Sequence, residues 1–231
     1  MIEELQQAGV MIHDLSQQPQ GTLRLTASVS FGQRCLVPRL PAFRQRYPDL
    51  GLELVLTDSV VDLFAERIDV AIRLGMLPDS SLIAQRLMLT YYRVCASPGY
   101  LSTRGYPRYP ADMVHHDCLR FSLAGFRSRW IFKDSQGAIS EVPVHGRLIV
   151  SNALALQQCA IAGLGLALLP NWLIDQELKN GTLVDVFPSY EVTATEFGTS
   201  AWWVLPSRSY IPHKVKIFMD YFNEVLTPPA G

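Results

Sequence analysis

No apolar run in this 231-residue chain approaches the roughly 18 residues that a membrane-spanning helix requires. A basic excess is equally lacking. Lys and Arg total 20 against 21 Asp and Glu, for a net charge of −1, which argues against unaided binding to DNA or to an anionic membrane surface. The first residues, Met1-Ile2-Glu3-Glu4-Leu5, are acidic and amphipathic, whereas a secretory signal is basic and then apolar. Only four cysteines occur (Cys35, Cys95, Cys118, Cys159), and no two form a CxxC or CxxxC pair. Reduced thiols in a cytoplasmic protein are the expectation.

Signatures of catalysis are sparse. There is no GxxxxGK[ST], GxSxG or HExxH. Gly163-Leu164-Gly165 has Leu168 where a dinucleotide loop needs its third glycine, and it precedes a strand instead of following one. The adjacent His115 and His116 point in different directions on any regular element and make a poor chelate; a surface loop is their simpler setting. No carboxylate pair has a spacing that places it on one face of a cleft. The expectation is a protein that is not an enzyme, with no catalytic residue, metal or cofactor.

What the chain does have is 48% hydrophobic residues, enough to exclude disorder, and length for one large or two modest domains. Residues 1–18 carry Ile2, Leu5, Ile12 and Leu15 on a helical stripe that either packs on its own domain or needs a partner chain or a missing upstream domain. Gln17 to Gly21 breaks it as a linker. Strands are then expected over Thr22–Ala27, Leu52–Leu56 and Ile68–Ile72, alternating with helices around Leu36–Tyr47, kinked or delayed by Pro38 and Pro41, and from a Thr57-Asp58-Ser59 cap to Glu66. Such alternation gives a parallel sheet covered by helices. Two more strands, near 84–89 and 91–96, lead to Ala96-Ser97-Pro98-Gly99, where the chain crosses into a second unit. There the pattern predicts a helix over 107–113, extended runs at 117–122, 129–134 and 139–149, and a helix capped by Ser151-Asn152. A buried strand ending at Pro170, a helix over 171–179 and a strand over 182–187 come next. The chain closes with a strand at Trp202–Leu205 and a helix after Pro212.

Several polar groups fall at the carboxyl ends of these strands: Ser28 and Ser30 after the first, Thr57 and Asp58 after the second, and Arg73 at the end of the third. Ser151-Asn152 opens a helix of the second unit. Ligands of open α/β sheets bind at such edges. Each hydroxyl taken alone is explained by helix capping; their convergence is what points to a small-molecule site.

In order along the chain, Gly21-Thr-Leu-Arg-Leu-Thr-Ala27, Pro38-Arg-Leu-Pro-Ala-Phe43 with Tyr47-Pro48-Asp49, Arg67-Ile-Asp-Val-Ala-Ile-Arg73, Ala96-Ser-Pro-Gly-Tyr100, Val150-Ser-Asn-Ala153 and Ala162-Gly-Leu-Gly-Leu-Ala-Leu-Leu-Pro170 resemble the effector-binding region of LysR-type transcriptional regulators. The resemblance covers about residues 21–226. It implies a type 2 periplasmic-binding-protein-like fold, with two Rossmann-like α/β subdomains joined by two crossover strands. Residues 1–20 would end the linker and dimerisation helix, 21–96 with 201–227 would form subdomain I, and 97–200 subdomain II, with the effector between them. The family's winged helix-turn-helix has no counterpart here, by natural truncation or by choice of segment, so DNA would be reached only through that missing part. By the same resemblance Ser28, Ser30, Phe31, Thr57, Asp58 and Arg73 of subdomain I and Phe121, Trp130 and Asn152 of subdomain II line the pocket, although Phe121 and Trp130 serve equally well as core. Asp58 repels an anion and Arg73 attracts one, leaving the ligand's charge open; the aromatic residues favour a planar small metabolite. Also implied are a homodimer or tetramer, with contacts through the helix near 34–47 and the second strand, and a cytoplasmic, bacterial setting. A periplasmic solute-binding protein of the same architecture is the alternative.

Overall fold

The computed structural model describes residues 19–76, 82–206 and 211–227. The expected helix over 1–18 lies outside them. In chain order the strands are β1 (Gly21–Ala27), β2 (Leu50–Leu56), β3 (Val70–Gly75), β4 (Ile83–Leu89), β5 (Tyr92–Ala96), β6 (Cys118–Phe121) and β7 (Arg129–Lys133). They continue as β8 (Ile139–Pro143), β9 (Ile149–Val150), β10 (Leu166–Pro170), β11 (Val184–Asp185), β12 (Glu191–Thr193) and β13 (Ser200–Leu205). The chain forms two compact units, one taking the chain up to Met88 and again from Ala201, the other Leu89–Ser200.

The first unit is a five-stranded sheet in the order β2-β1-β3-β13-β4. β1 pairs in parallel with β2 along its whole length, Gly21 opposite Leu50 to Ala27 opposite Leu56, and with β3 on its other side. The alternating Leu23, Leu25 and Ala27 that mark β1 in the sequence are buried, which fixes its register. After β1 the chain turns helical at once. It is α-helical at Val29–Phe31, a π-turn at Gly32–Leu36, a 3-10 turn at Val37–Arg39 and α-helical again at Leu40–Arg46. The irregularity follows from Pro38 and Pro41, which supply no amide donor. Arg39 Nη1 donates to the Cys35 carbonyl at 2.9 Å. Phe43 on this run meets Phe218 and Tyr221 of the closing helix His213–Leu226 edge-on, at 5.2 and 5.1 Å between ring centres.

The helix expected from Thr57 to Glu66 does not form. Asp62 Oδ1 instead accepts the amides of Phe64 and Ala65 at 2.9 and 3.1 Å, starting a single turn. Arg67, at φ +51°, then takes a left-handed conformation that a helix cannot continue through.

The second unit is an eight-stranded mixed sheet in the order β8-β7-β12-β5-β10-β6-β9, with β11 also on β5. β10 runs antiparallel to β5 and parallel to β6, and β9 runs parallel to β6. Because β5 is bonded into this sheet, the chain passes into the second unit after Met88, ahead of the expected crossing at 96/97. Ala96-Ser97-Pro98-Gly99 opens a helix, Pro98–Arg104, whose first turn is capped by Ser97 Oγ accepting the Tyr100 amide at 3.3 Å. The helical stretch expected over 107–113 is a 3-10 turn at Pro110–His115. Helices Ala153–Ile161 and Asn171–Lys179 stand where the sequence puts them. Gly146 splits the extended run 139–149 into β8 and β9. It lies so close to Cys118 that a Cβ there would collide with that residue's carbonyl oxygen. Val94, Leu101, Trp130, Phe132 and Leu166 belong to this unit's core.

Candidate functional site

In the first unit the carboxyl ends of β1, β2 and β3 lie side by side, and their connections carry the expected groups. Ser28 caps the helical turn after β1, its Oγ accepting the Phe31 amide at 3.3 Å. From the end of β2, Asp58 Oδ1 accepts the Val29 amide at 3.1 Å, and the Thr57 amide donates to the Ala27 carbonyl at 3.0 Å. Thr57 Oγ1 accepts the Ser59 amide at 3.2 Å. Ser28, Thr57 and Asp58 therefore stand on two connections that are hydrogen-bonded to each other. Ser28 and Thr57 are half-buried and Asp58 is exposed.

Arg73 stands on the neighbouring β3 and is half-buried, with Nη2 donating to the Val61 carbonyl at 3.0 Å. Burial lowers its pKa from the ordinary value, but a guanidinium stays charged at any physiological pH. Val61 is thus a positioning partner that no residue-type pattern marks, since any residue supplies a carbonyl. Trp202 is another: its indole Nε1 donates to the Gly75 carbonyl at 3.0 Å and holds the end of β3. In the sequence the paired Trp202-Trp203 marks a strand only.

Two expected residues of this turn face the wrong way. Because the helix begins at Val29, Ser30 and Phe31 rotate into the interior, 3% and 0% exposed, and Phe31 is a core residue.

In the second unit β6 and β9 pair with Phe121 opposite Val150. β9 leads into helix Ala153–Ile161, whose first turn is capped by Asn152 Oδ1 accepting the Ala155 amide at 3.2 Å. Phe121 and Asn152, both half-buried, thus sit at the ends of adjacent strands. Phe121 packs edge-on against Phe126 at 5.9 Å. Trp130 is 1% exposed within the core cluster and has no side-chain surface to offer a ligand. Its neighbours Ile131 and Phe132 on β7 are buried as well.

Two α/β units on a chain that passes between them twice, each ending its strands in capping hydroxyl, carboxylate and amide groups, define the type 2 periplasmic-binding-protein-like class. Within that class the chain belongs to the family described as the LysR substrate binding domain, which matches residues 16–227. It is 31% identical over 212 residues to an uncharacterised HTH-type transcriptional regulator of Haemophilus influenzae, covering 92% of this chain and 72% of that protein. It is also 31% identical over 224 residues to the HTH-type transcriptional regulator DmlR of Escherichia coli, covering 95% and 71%. Among solved structures, CrgA, a LysR-type transcriptional regulator from Neisseria meningitidis, superimposes with a TM-score of 0.80 at 27% identity, over 98% of this chain and 75% of that one. The CrgA regulatory domain alone gives 0.78 at 28% identity, over 90% and 100%. The chain is the ligand-sensing regulatory domain of a LysR-type regulator, and the solute-binding alternative is set aside. No helix among the described residues is long and apolar enough to cross a membrane.

Proposed function

We propose that Ser28, Thr57, Asp58 and Arg73 of the first unit and Phe121 and Asn152 of the second are the effector-contacting groups, and that the effector is a small, planar compound. The grouping of Ser28, Thr57 and Asp58 on two hydrogen-bonded connections, next to the strand that bears Arg73, carries this reading. It gathers hydroxyl, carboxylate and guanidinium groups at one sheet edge, where a single small molecule can satisfy several of them. Phe121 supplies an apolar face. Ser30, Phe31 and Trp130 act as the packing beneath.

The domain is a sensor and not an enzyme. It works in the cytoplasm as a homo-oligomer, dimer or tetramer, and DNA is contacted through the family's helix-turn-helix part. Signalling requires that the effector bind one arrangement of the regulator more tightly than another, because equal affinity shifts nothing. The test is calorimetric titration of an effector found by screening. Ser28→Ala and Arg73→Ala should each weaken binding about tenfold or more without loss of fold, since each removes a bond to a polar ligand group. Unchanged affinity in both variants overturns the assignment.

A further inference from the structure

The second unit contains a cavity of about 350 Å³ that none of the effector-contacting groups lines. Its walls come from the two stretches by which the chain enters and leaves the unit, Leu89–Arg93 and Glu191–Thr199. These stretches are tied to each other. The Thr90 amide donates to the Thr199 carbonyl at 3.0 Å, and Thr199 Oγ1 donates to the Thr90 carbonyl at 2.9 Å.

Three features give the cavity a chemical preference. Leu89, Tyr91 and Phe197 supply apolar wall, and Leu89 and Tyr91 keep 60% and 49% of their surface exposed; apolar surface of this kind around a concavity marks ligand sites. The charges at its edge are mostly neutralised already. Arg93 pairs with Asp185 at 3.4 Å and lies over the Tyr91 ring, while Lys133 pairs with Glu191 at 2.7 Å and lies over the Phe197 ring. Glu196 lines the cavity with no ion pair among the described residues. Finally, Thr90 is 5% exposed, and its hydroxyl finds no hydrogen-bond partner among the described residues. An unpaired carboxylate and an unmet hydroxyl oxygen are both acceptors for a protonated amine.

We infer that this cavity is a second ligand site, for a small amphiphilic amine whose ammonium meets Glu196 and Thr90 and whose apolar body lies against Leu89, Tyr91 and Phe197. Occupancy there would clamp the entering and leaving stretches together.

The probes are 2-phenylethylamine, 2-phenylethanol and 3-phenylpropanoate, matched in body and differing in charge, titrated into the 231-residue chain by NMR. The amine should bind most tightly and the carboxylate least. Glu196→Gln should weaken the amine by about two- to fivefold, the range of an exposed ion pair, and leave the alcohol unchanged. Thr90→Val should weaken both amine and alcohol, and Asn152→Ala should affect neither. The proposal is overturned if no probe binds up to 10 mM, if 3-phenylpropanoate binds as well as the amine, or if Glu196→Gln leaves the affinity of the amine unchanged. Loss of amine binding in Asn152→Ala with none in Glu196→Gln overturns it too, by moving the amine to the effector groups. Since Glu196 is exposed, its variant folds whatever the fate of Thr90→Val.

Discussion

Asp58 and Val29 are joined by a hydrogen bond from the Val29 amide to the carboxylate, 3.1 Å long. It ties the connection after β2 to the helical turn after β1, so one side chain shapes the sheet edge and, in the proposed site, also offers charge to a ligand. Asp58→Ala removes an acceptor from a helix start and should cost about 1 kcal/mol in urea unfolding. Asp58→Asn keeps an acceptor oxygen and should recover most of that stability while altering effector affinity. Equal destabilisation by both variants would show that the charge, and not the cap, is what matters.

Gly146 is intolerant of any side chain, because the carbonyl of Cys118 occupies the place of its Cβ and the Cys118 amide donates to the neighbouring His145 carbonyl at 2.8 Å. Gly146→Ala should destabilise the protein by about 3 kcal/mol or more, at the severe end of overpacking because backbone must move. Gly99 has open space at its Cβ, and Gly99→Ala should lie near wild type. Thermal unfolding of the two variants side by side makes the comparison.

The thiols should divide three to one. Cys35, Cys95 and Cys118 are buried and Cys159 is half-buried. Burial pushes the Cys118 thiol up to about 12, and burial with the nearby Asp185 and Glu177 charges pushes Cys95 up as well. Since the thiolate is the reactive form, a colorimetric disulfide reagent at pH 8 should titrate one thiol rapidly in the native protein and all four after denaturation. Rapid reaction of two or more native thiols would contradict the burial described.

His116 should make stability depend on pH. Burial lowers its pKa below 6.5, His115 and Arg104 add to the effect, and Asp112 and Asp117 oppose it. Its ring Nδ1 lies 3.2 Å from the Tyr100 hydroxyl. The unfolded chain therefore binds the proton more readily, so this contribution is intact above pH 6.5 and is lost as pH falls from there through the lowered native value. Denaturant midpoints measured from pH 7.5 to 5 should drop less steeply in His116→Gln than in the parent. A parallel fall in both proteins would remove His116 as the cause.

The sheets were the most legible part of the sequence: period-two alternation marks both β1 and β2, and at Leu23-Leu25-Ala27 it reports burial directly. Helix ends with a capping side chain, such as Asn152, were legible for the same local reason. The turn at 57–67 was not: Thr57-Asp58-Ser59 carries capping chemistry, but Asp58 spends its carboxylate on Val29, 29 residues away, and Asp62 starts the turn instead. At the site, the polar members Ser28, Thr57, Asp58 and Arg73 fell where strand ends put them. Ser30, Phe31 and Trp130 went inward because side-chain direction depends on where a helix begins or how a strand registers, and three-residue helices leave no periodic trace. Partners that act through a carbonyl, such as Val61, carry no residue-type signal.

The most direct test of the strand-end assignment is native mass spectrometry of the 231-residue chain against a library of small carboxylates and planar aromatics, with each bound compound titrated calorimetrically into Ser28→Ala, Arg73→Ala and Asn152→Ala. At least one compound should bind one-to-one and lose about tenfold or more in affinity in the Ser28 and Arg73 variants. A one-to-one ligand whose affinity is the same in all three variants as in the parent would contradict the assignment.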